Sequence, residues 1–168
     1  MTADAVMAAR AEAQGASEPA RRILFVCTGN TCRSPMAAAL CNHLAGQGGK
    51  QHLTAVSAGL YAAEGAPMTP LAAAALQRAG VAPTGEADYT LHRARNVTQE
   101  MIEQADAVVA LTGAHAMELM LRFPDAASRI GTLPMDIPDP YGGSQEVYDA
   151  CLASLWRCIE LAFFTEAP

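Results

Sequence analysis

Ile23-Leu24-Phe25-Val26-Cys27-Thr28-Gly29-Asn30-Thr31-Cys32-Arg33-Ser34-Pro35 sets a strand, a loop and a helix start in immediate succession. The first four residues are a continuous apolar run, the pattern of a parallel strand buried on both faces. Ser34-Pro35 pairs a residue type favoured at the N-cap with proline at the first helical position. Between them, Gly29 and Asn30 are the residue types that tolerate positive φ. Such a loop can turn the N–H groups of Thr28, Gly29, Asn30, Thr31, Cys32, Arg33 and Ser34 inwards as an anion nest. The helix start adds unpaired N–H groups and the positive end of its dipole. Arg33 offers a planar fork matched to two phosphate oxygens. Cys27 would lie beneath the phosphorus, with the same donors favouring its thiolate. A cysteine ending a buried strand can equally be a small packed hydrophobe. Chemistry is favoured here because Cys, Gly-Asn, Arg and Ser-Pro occur together.

The rest of the chain repeats the alternation. Met36, Leu40 and Leu44 recur at helical spacing until Gly46 and Gly48-Gly49, and Leu53 to Ala58 reads as a second strand closed by Gly59. Thr69-Pro70 opens a helix that runs to Gly80, and Thr98 opens another with Met101, Ile102 and Ala105 inward. Ala107 to Leu111 is a third buried strand, followed by a helix over about 114–122 and a weak fourth strand at Ile130 to Leu133. A final helix from Ser144 carries Val147, Cys151, Leu155, Cys158 and Ala162 on one stripe. Strands alternating with helices imply one α/β domain with a parallel sheet wrapped by right-handed crossovers. In such sheets the site lies at the carboxyl ends of the strands, which is where the Cys27 loop falls.

Composition narrows the function classes. The 168 residues carry 11 Lys+Arg against 17 Asp+Glu, and 51% are hydrophobic types. That excludes a disordered polyelectrolyte and argues against a grip on nucleic acid. No apolar run approaches the roughly 20 residues that span a bilayer, and Lys50 is the one lysine, so no membrane contact is expected. Five cysteines make an odd number and no signal peptide is visible, so a disulfide framework is disfavoured and a cytoplasmic chain expected. Residues 1–21 read as a flexible extension and 22–168 as the domain. A Walker loop is excluded because no Gly-Lys-Ser/Thr follows, and a zinc site at Cys27 and Cys32 lacks a second ligand pair. Neither metal nor cofactor is expected.

Val26 to Pro35, with the later Asp139-Pro140-Tyr141, resembles the two signatures of the low-molecular-weight protein-tyrosine-phosphatases over about 22–164. The resemblance implies a four-stranded parallel sheet flanked by helices and a metal-free phosphatase acting on phosphorylated protein; the sequence leaves the oligomeric state open, with a monomer expected. It implies that Cys27 attacks phosphorus to form a cysteinyl-phosphate, that Arg33 and the loop N–H groups hold the equatorial oxygens, and that Ser34 donates towards the Cys27 sulfur. Asp139 becomes the acid that protonates the leaving group, with Asp136 a competitor that lacks the Pro-Tyr context. Asn30 is expected in the left-handed conformation, its side chain bonded by Ser57 and His92. Cys32 either forms a reversible disulfide with Cys27 or packs the loop. Cys41, Cys151 and Cys158 are read as core, and His43, His52 and His115 receive no role.

Substrate divides the reading. Phosphotyrosine is the substrate most of the family implies, and Thr28 and Tyr141 would line its pocket. Thr28, where tyrosine-type members carry an aliphatic residue, and Gly142-Gly143-Ser144 after Tyr141 are instead similar to the protein-arginine-phosphatase branch. An arsenate reductase would need a cysteine redox segment, yet no cysteine occurs between Cys41 and Cys151. A non-catalytic phosphate-binding module fits poorly, since nucleophile, arginine and acid are all present.

Overall fold

A computed structural model describes residues 18–84 and 88–165. The first strand, β1 (Arg21–Cys27), buries Ile23 to Val26 completely. The chain continues through α1 (Arg33–Gln47), β2 (Leu53–Gly59), α2 (Pro70–Arg78), α3 (Gln99–Gln104), β3 (Ala107–Ala110), α4 (Gly113–Arg122), β4 (Ile130–Thr132) and α5 (Gln145–Ile159). Short 3-10 turns occupy Tyr89–Leu91 and Pro124–Arg129, and a π turn at Glu160–Phe164 extends α5.

All strand pairs are parallel and their order is β2-β1-β3-β4. Successive side chains of β1 face opposite layers, as a period of two requires. Ile23, Phe25 and Cys27 pack with α1, α2 and α5, while Leu24 and Val26 pack with α3 and α4. The chain leaves β1 towards β2 and later returns to its other side for β3. That reversal of strand order opens a crevice at the carboxyl end of β1, and the Cys27 loop stands in it.

Several local details depart from expectation. β1 begins at Arg21, whose N–H bonds the His52 carbonyl at 2.8 Å, so the sheet claims the last residue assigned to the extension. Residues 1–17 of that extension lie outside the described residues. α1 starts at Arg33 with Cys32 at its N-cap and no side-chain cap bond, so Ser34 does not cap the helix. Its hydroxyl is committed to the loop instead. Thr98 does cap α3, accepting from the Met101 N–H at 3.2 Å. Among the described residues no helix is long and apolar enough to cross a membrane.

Candidate active site

The loop after β1 is shaped by where its carbonyls go. Leu60 and Tyr61 donate N–H groups to the carbonyls of Cys27 and Thr28, both at 2.9 Å, and Thr69 N–H reaches the Thr31 carbonyl at 3.0 Å. His92 Nε2 donates to the Asn30 carbonyl at 2.7 Å. Every peptide among the described residues is trans, so each N–H lies opposite the carbonyl it follows. Four carbonyls turned out to the scaffold therefore turn the N–H groups of Thr28, Gly29, Thr31 and Cys32 inwards. That is the arrangement an anion nest requires.

Asn30 is the keystone of this turn. It is fully buried and is the one described non-glycine residue with positive φ, at 56°. Its Nδ2 donates to Ser34 Oγ at 2.9 Å and Ser57 Oγ at 3.0 Å, and its Oδ1 accepts from the Arg95 N–H at 3.0 Å. Ser57 meets the side chain as expected, whereas His92 meets the backbone carbonyl. Gly29 does not adopt positive φ, so the left-handed turn rests on Asn30 alone. The glycine that matters is Gly59 at the end of β2. A Cβ there would stand 2.6 Å from the Thr28 carbonyl oxygen and 3.1 Å from Asn30.

Cys27 is 3% exposed and its Sγ lies 2.9 Å from Ser34 Oγ. The Arg33 guanidinium is buried and reaches the loop after β4, where Nη1 donates to the Ile137 carbonyl at 3.0 Å. Its Nη2 stands 3.7 Å from Asp139 Oδ2. Asp139 is half-exposed and holds its own turn by accepting from the Tyr141 N–H at 3.1 Å. Asp136 is occupied elsewhere, accepting from the Gly113 N–H at the start of α4 at 2.9 Å. Tyr141 is exposed beyond Asp139.

Sequence reasoning missed three neighbours. His115, assigned no role, is 8% exposed and sets its Nε2 2.8 Å from Thr28 Oγ1. Burial, and then the Arg33 charge, hold its pKa below the ordinary histidine value. Arg95 secures Asn30 through its backbone and Ser57 through its side chain, with Nε 3.1 Å from the Ser57 carbonyl. Tyr61 donates its backbone N–H to the loop, while its ring hydroxyl hydrogen-bonds Glu118 and its ring lies under the Arg122 guanidinium. Thr112 was the available signal for His115. A capping threonine three residues earlier, just past a buried strand, places that histidine at the sheet's carboxyl end.

All five cysteines are free thiols. Cys32 faces the Thr69 hydroxyl at 3.1 Å and the Tyr148 hydroxyl at 3.5 Å. Cys41, Cys151 and Cys158 are buried, as read from their helical stripes, and burial pushes the Cys41 and Cys151 thiols up to about 12. No cluster of three or more His, Cys, Asp or Glu groups placed to hold a metal occurs among the described residues.

The chain is similar to known proteins. The family model for low molecular weight phosphotyrosine protein phosphatase matches residues 22–163. The chain belongs to that family. A protein-arginine-phosphatase of Geobacillus stearothermophilus is 39% identical over 146 residues, covering 83% of this chain and 91% of the relative. A low molecular weight protein-tyrosine-phosphatase of Streptomyces coelicolor is 35% identical over 150 residues, covering 78% and 84%. In fold, the phosphatase matches the crystal structure of a low molecular weight protein tyrosine phosphatase from T. tengcongensis with a TM-score of 0.76 and 37% identity, covering 83% and 95%. The low-molecular-weight phosphatase described here is thus a phosphoprotein phosphatase with a four-stranded parallel sheet.

Proposed function

We propose that this phosphatase hydrolyses phosphoarginine in proteins. The observation that carries the reading is Thr28, exposed beside the nucleophile, with its hydroxyl held 2.8 Å from His115 Nε2. A guanidinium offers N–H donors on every side, whereas a phenyl ring offers none. A fixed hydroxyl beside the phosphoryl group is therefore suited to the first. The similarity to a protein-arginine-phosphatase over most of both chains supports the same choice.

The chemistry follows from the site. Cys27 Sγ attacks phosphorus in line, forming the S–P bond as the P–N bond breaks. Asp139 gives its proton to the departing guanidine nitrogen. The N–H groups of Thr28 to Ser34 and the Arg33 guanidinium hold the equatorial oxygens and stabilise their charge. Ser34 has a single hydroxyl proton and two acceptors within reach, Cys27 Sγ at 2.9 Å and the Ala58 carbonyl at 3.3 Å. A thiolate only accepts, so Ser34 turns its proton to sulfur while Asn30 Nδ2 donates into one of the oxygen lone pairs. Water then attacks the cysteinyl-phosphate, yielding its proton to Asp139 as the S–P bond breaks. No metal or cofactor enters, and the enzyme acts as a cytoplasmic monomer on phosphorylated protein. Exposed Tyr141, able to stack on a phenyl ring, supports phosphotyrosine as the second reading.

The test is kcat/KM on matched phosphoarginine and phosphotyrosine peptides for wild type and Thr28→Ile. The substitution keeps the backbone N–H, fills the space and removes the hydroxyl. The phosphoarginine to phosphotyrosine ratio should fall by about 10–200-fold. A wild type that prefers phosphotyrosine by a wide margin refutes the reading without the variant.

A further inference from the structure

His115 is hydrogen-bonded to the residue that carries the substrate choice, and no step of the phosphatase chemistry above gives it a role of its own. It sits on the first turn of α4, whose start is fixed twice. Thr112 Oγ1 accepts from the His115 N–H at 3.2 Å, and Asp136 Oδ1 accepts from the Gly113 N–H at 2.9 Å. The imidazole is buried and cannot follow Thr28 if that side chain rotates. A threonine at an exposed loop position has three staggered rotamers available, and the His115 contact selects the one that turns Oγ1 to α4.

The proton position follows from burial. Among the described residues, His115 Nδ1 is buried without a hydrogen-bond partner. A buried N–H without an acceptor is costlier than a buried lone pair without a donor, so the proton belongs on Nε2. Nε2–H then donates into one lone pair of Thr28 Oγ1. The second lone pair and the hydroxyl proton remain for the pocket.

From this geometry we infer that His115 is a positioning residue for substrate choice, holding Thr28 Oγ1 as an acceptor for the bridging N–H of phosphoarginine. The inference rests on the phosphoarginine reading above. At the atom that bridges to phosphorus the two candidate substrates present opposite chemistry, an N–H donor in phosphoarginine and an ester oxygen without a proton in phosphotyrosine. A site that pairs a substrate N–H discriminates against the analogue lacking it, because the polar group is then left unpaired.

The experiment measures the phosphoarginine to phosphotyrosine kcat/KM ratio in wild type, His115→Leu, His115→Gln, Thr28→Val and the Thr28→Val/His115→Leu double variant. Leucine fills the space without a donor, and glutamine carries an amide N–H near the place of Nε2. His115→Leu should lower the ratio about 10–100-fold, the worth of a hydrogen bond to a charged partner. His115→Gln should recover most of that loss. In the Thr28→Val background, His115→Leu should change the ratio by less than about twofold, since the effect runs through the hydroxyl.

An unchanged ratio in folded His115→Leu overturns the inference. So does an equal fall in the Thr28→Val background, which would mark a general packing effect, or a failure of glutamine to rescue. If His115→Leu does not fold, Thr28→Val decides, because a wild-type ratio there removes the hydroxyl from substrate choice. Wild-type preference for phosphotyrosine defeats the phosphoarginine reading itself and this inference with it. That outcome is seen before any variant is made.

Discussion

A single hydroxyl proton at Ser34 and a single carboxyl at Asp139 carry different parts of the proposed reaction, the first at sulfur, the second at the leaving group and the attacking water. Among the described residues Asp139 accepts from no N–H beyond its own turn and stands beside Arg33, while Asp136 is spent on the first N–H of α4. Asp139→Asn should therefore slow hydrolysis of poor leaving groups by roughly 10²–10⁴-fold, with a smaller loss on activated aryl phosphates. Asp136→Asn should leave leaving-group dependence intact and lower stability, by about 0.5–2 kcal/mol if the cap weakens. Plotting log kcat against leaving-group pKa for both variants separates the two roles, and a steeper slope in Asp136→Asn would reverse the assignment. At this scale the legible residues were those close together in sequence. Cys27, Asn30, Arg33 and Ser34 stand within eight residues of one another, so their types and spacing point to the proposed chemistry. His115 lies 87 residues from Thr28 and Arg95 lies 65 from Asn30. No local pattern marks such a pair, because only the sheet brings them together.

The strand ends do that work. β2 terminates against the loop through Gly59, with Leu60 and Tyr61 donating to its carbonyls. The obstructing atom for a new Cβ is backbone, which cannot rotate away. Gly59→Ala should displace the loop, costing about 1–3 kcal/mol of stability by overpacking and lowering kcat by a larger factor than stability alone explains. Urea unfolding beside kcat at a temperature where the variant is folded makes the check. Unaltered turnover would mean the loop tolerates the shift. The element reading was otherwise sound, since continuous apolar runs at β1 and β3 and proline at the start of α2 are local signals. It failed at α1, where Ser34-Pro35 has the composition of a cap but the serine is bonded to Asn30 and Cys27. Tertiary demand from the site overrode a local preference there. α1 also buries eleven of its fifteen residues, more than the Met36, Leu40 and Leu44 stripe implied. The Ala37-Ala38-Ala39 run lets it lie close to the sheet.

Across the whole molecule, two histidines couple the site to pH. His92 and His115 are both held below the ordinary value of 6.5, chiefly by burial. Below pH 6.5 the unfolded chain takes up protons that these folded histidines still refuse. The stabilising contribution of their neutral forms is complete above that pH and is lost as pH falls towards the folded pKa values. Unfolding free energy should thus decline from about pH 7 downwards, before carboxylates such as Glu64 and Glu118 titrate below their usual 4.5. His115→Gln should flatten the upper part of that decline in urea titrations, and an unchanged slope would show that His115 does not contribute. The cradle itself has a consequence of another kind. Asn30, Ser57, His92, Arg95 and Gly59 fix its shape through bonds within the protein, and none of those bonds depends on what the phosphate is attached to. Such a cradle grips the departing phosphate as it gripped the arriving phosphoryl group. Inorganic phosphate should then compete with substrate, raising KM and leaving kcat unchanged, and it should raise the melting temperature with concentration through mass action. Turnover in the cell would slow as free phosphate accumulates, making the enzyme's rate a readout of the phosphate pool as well as of its substrate.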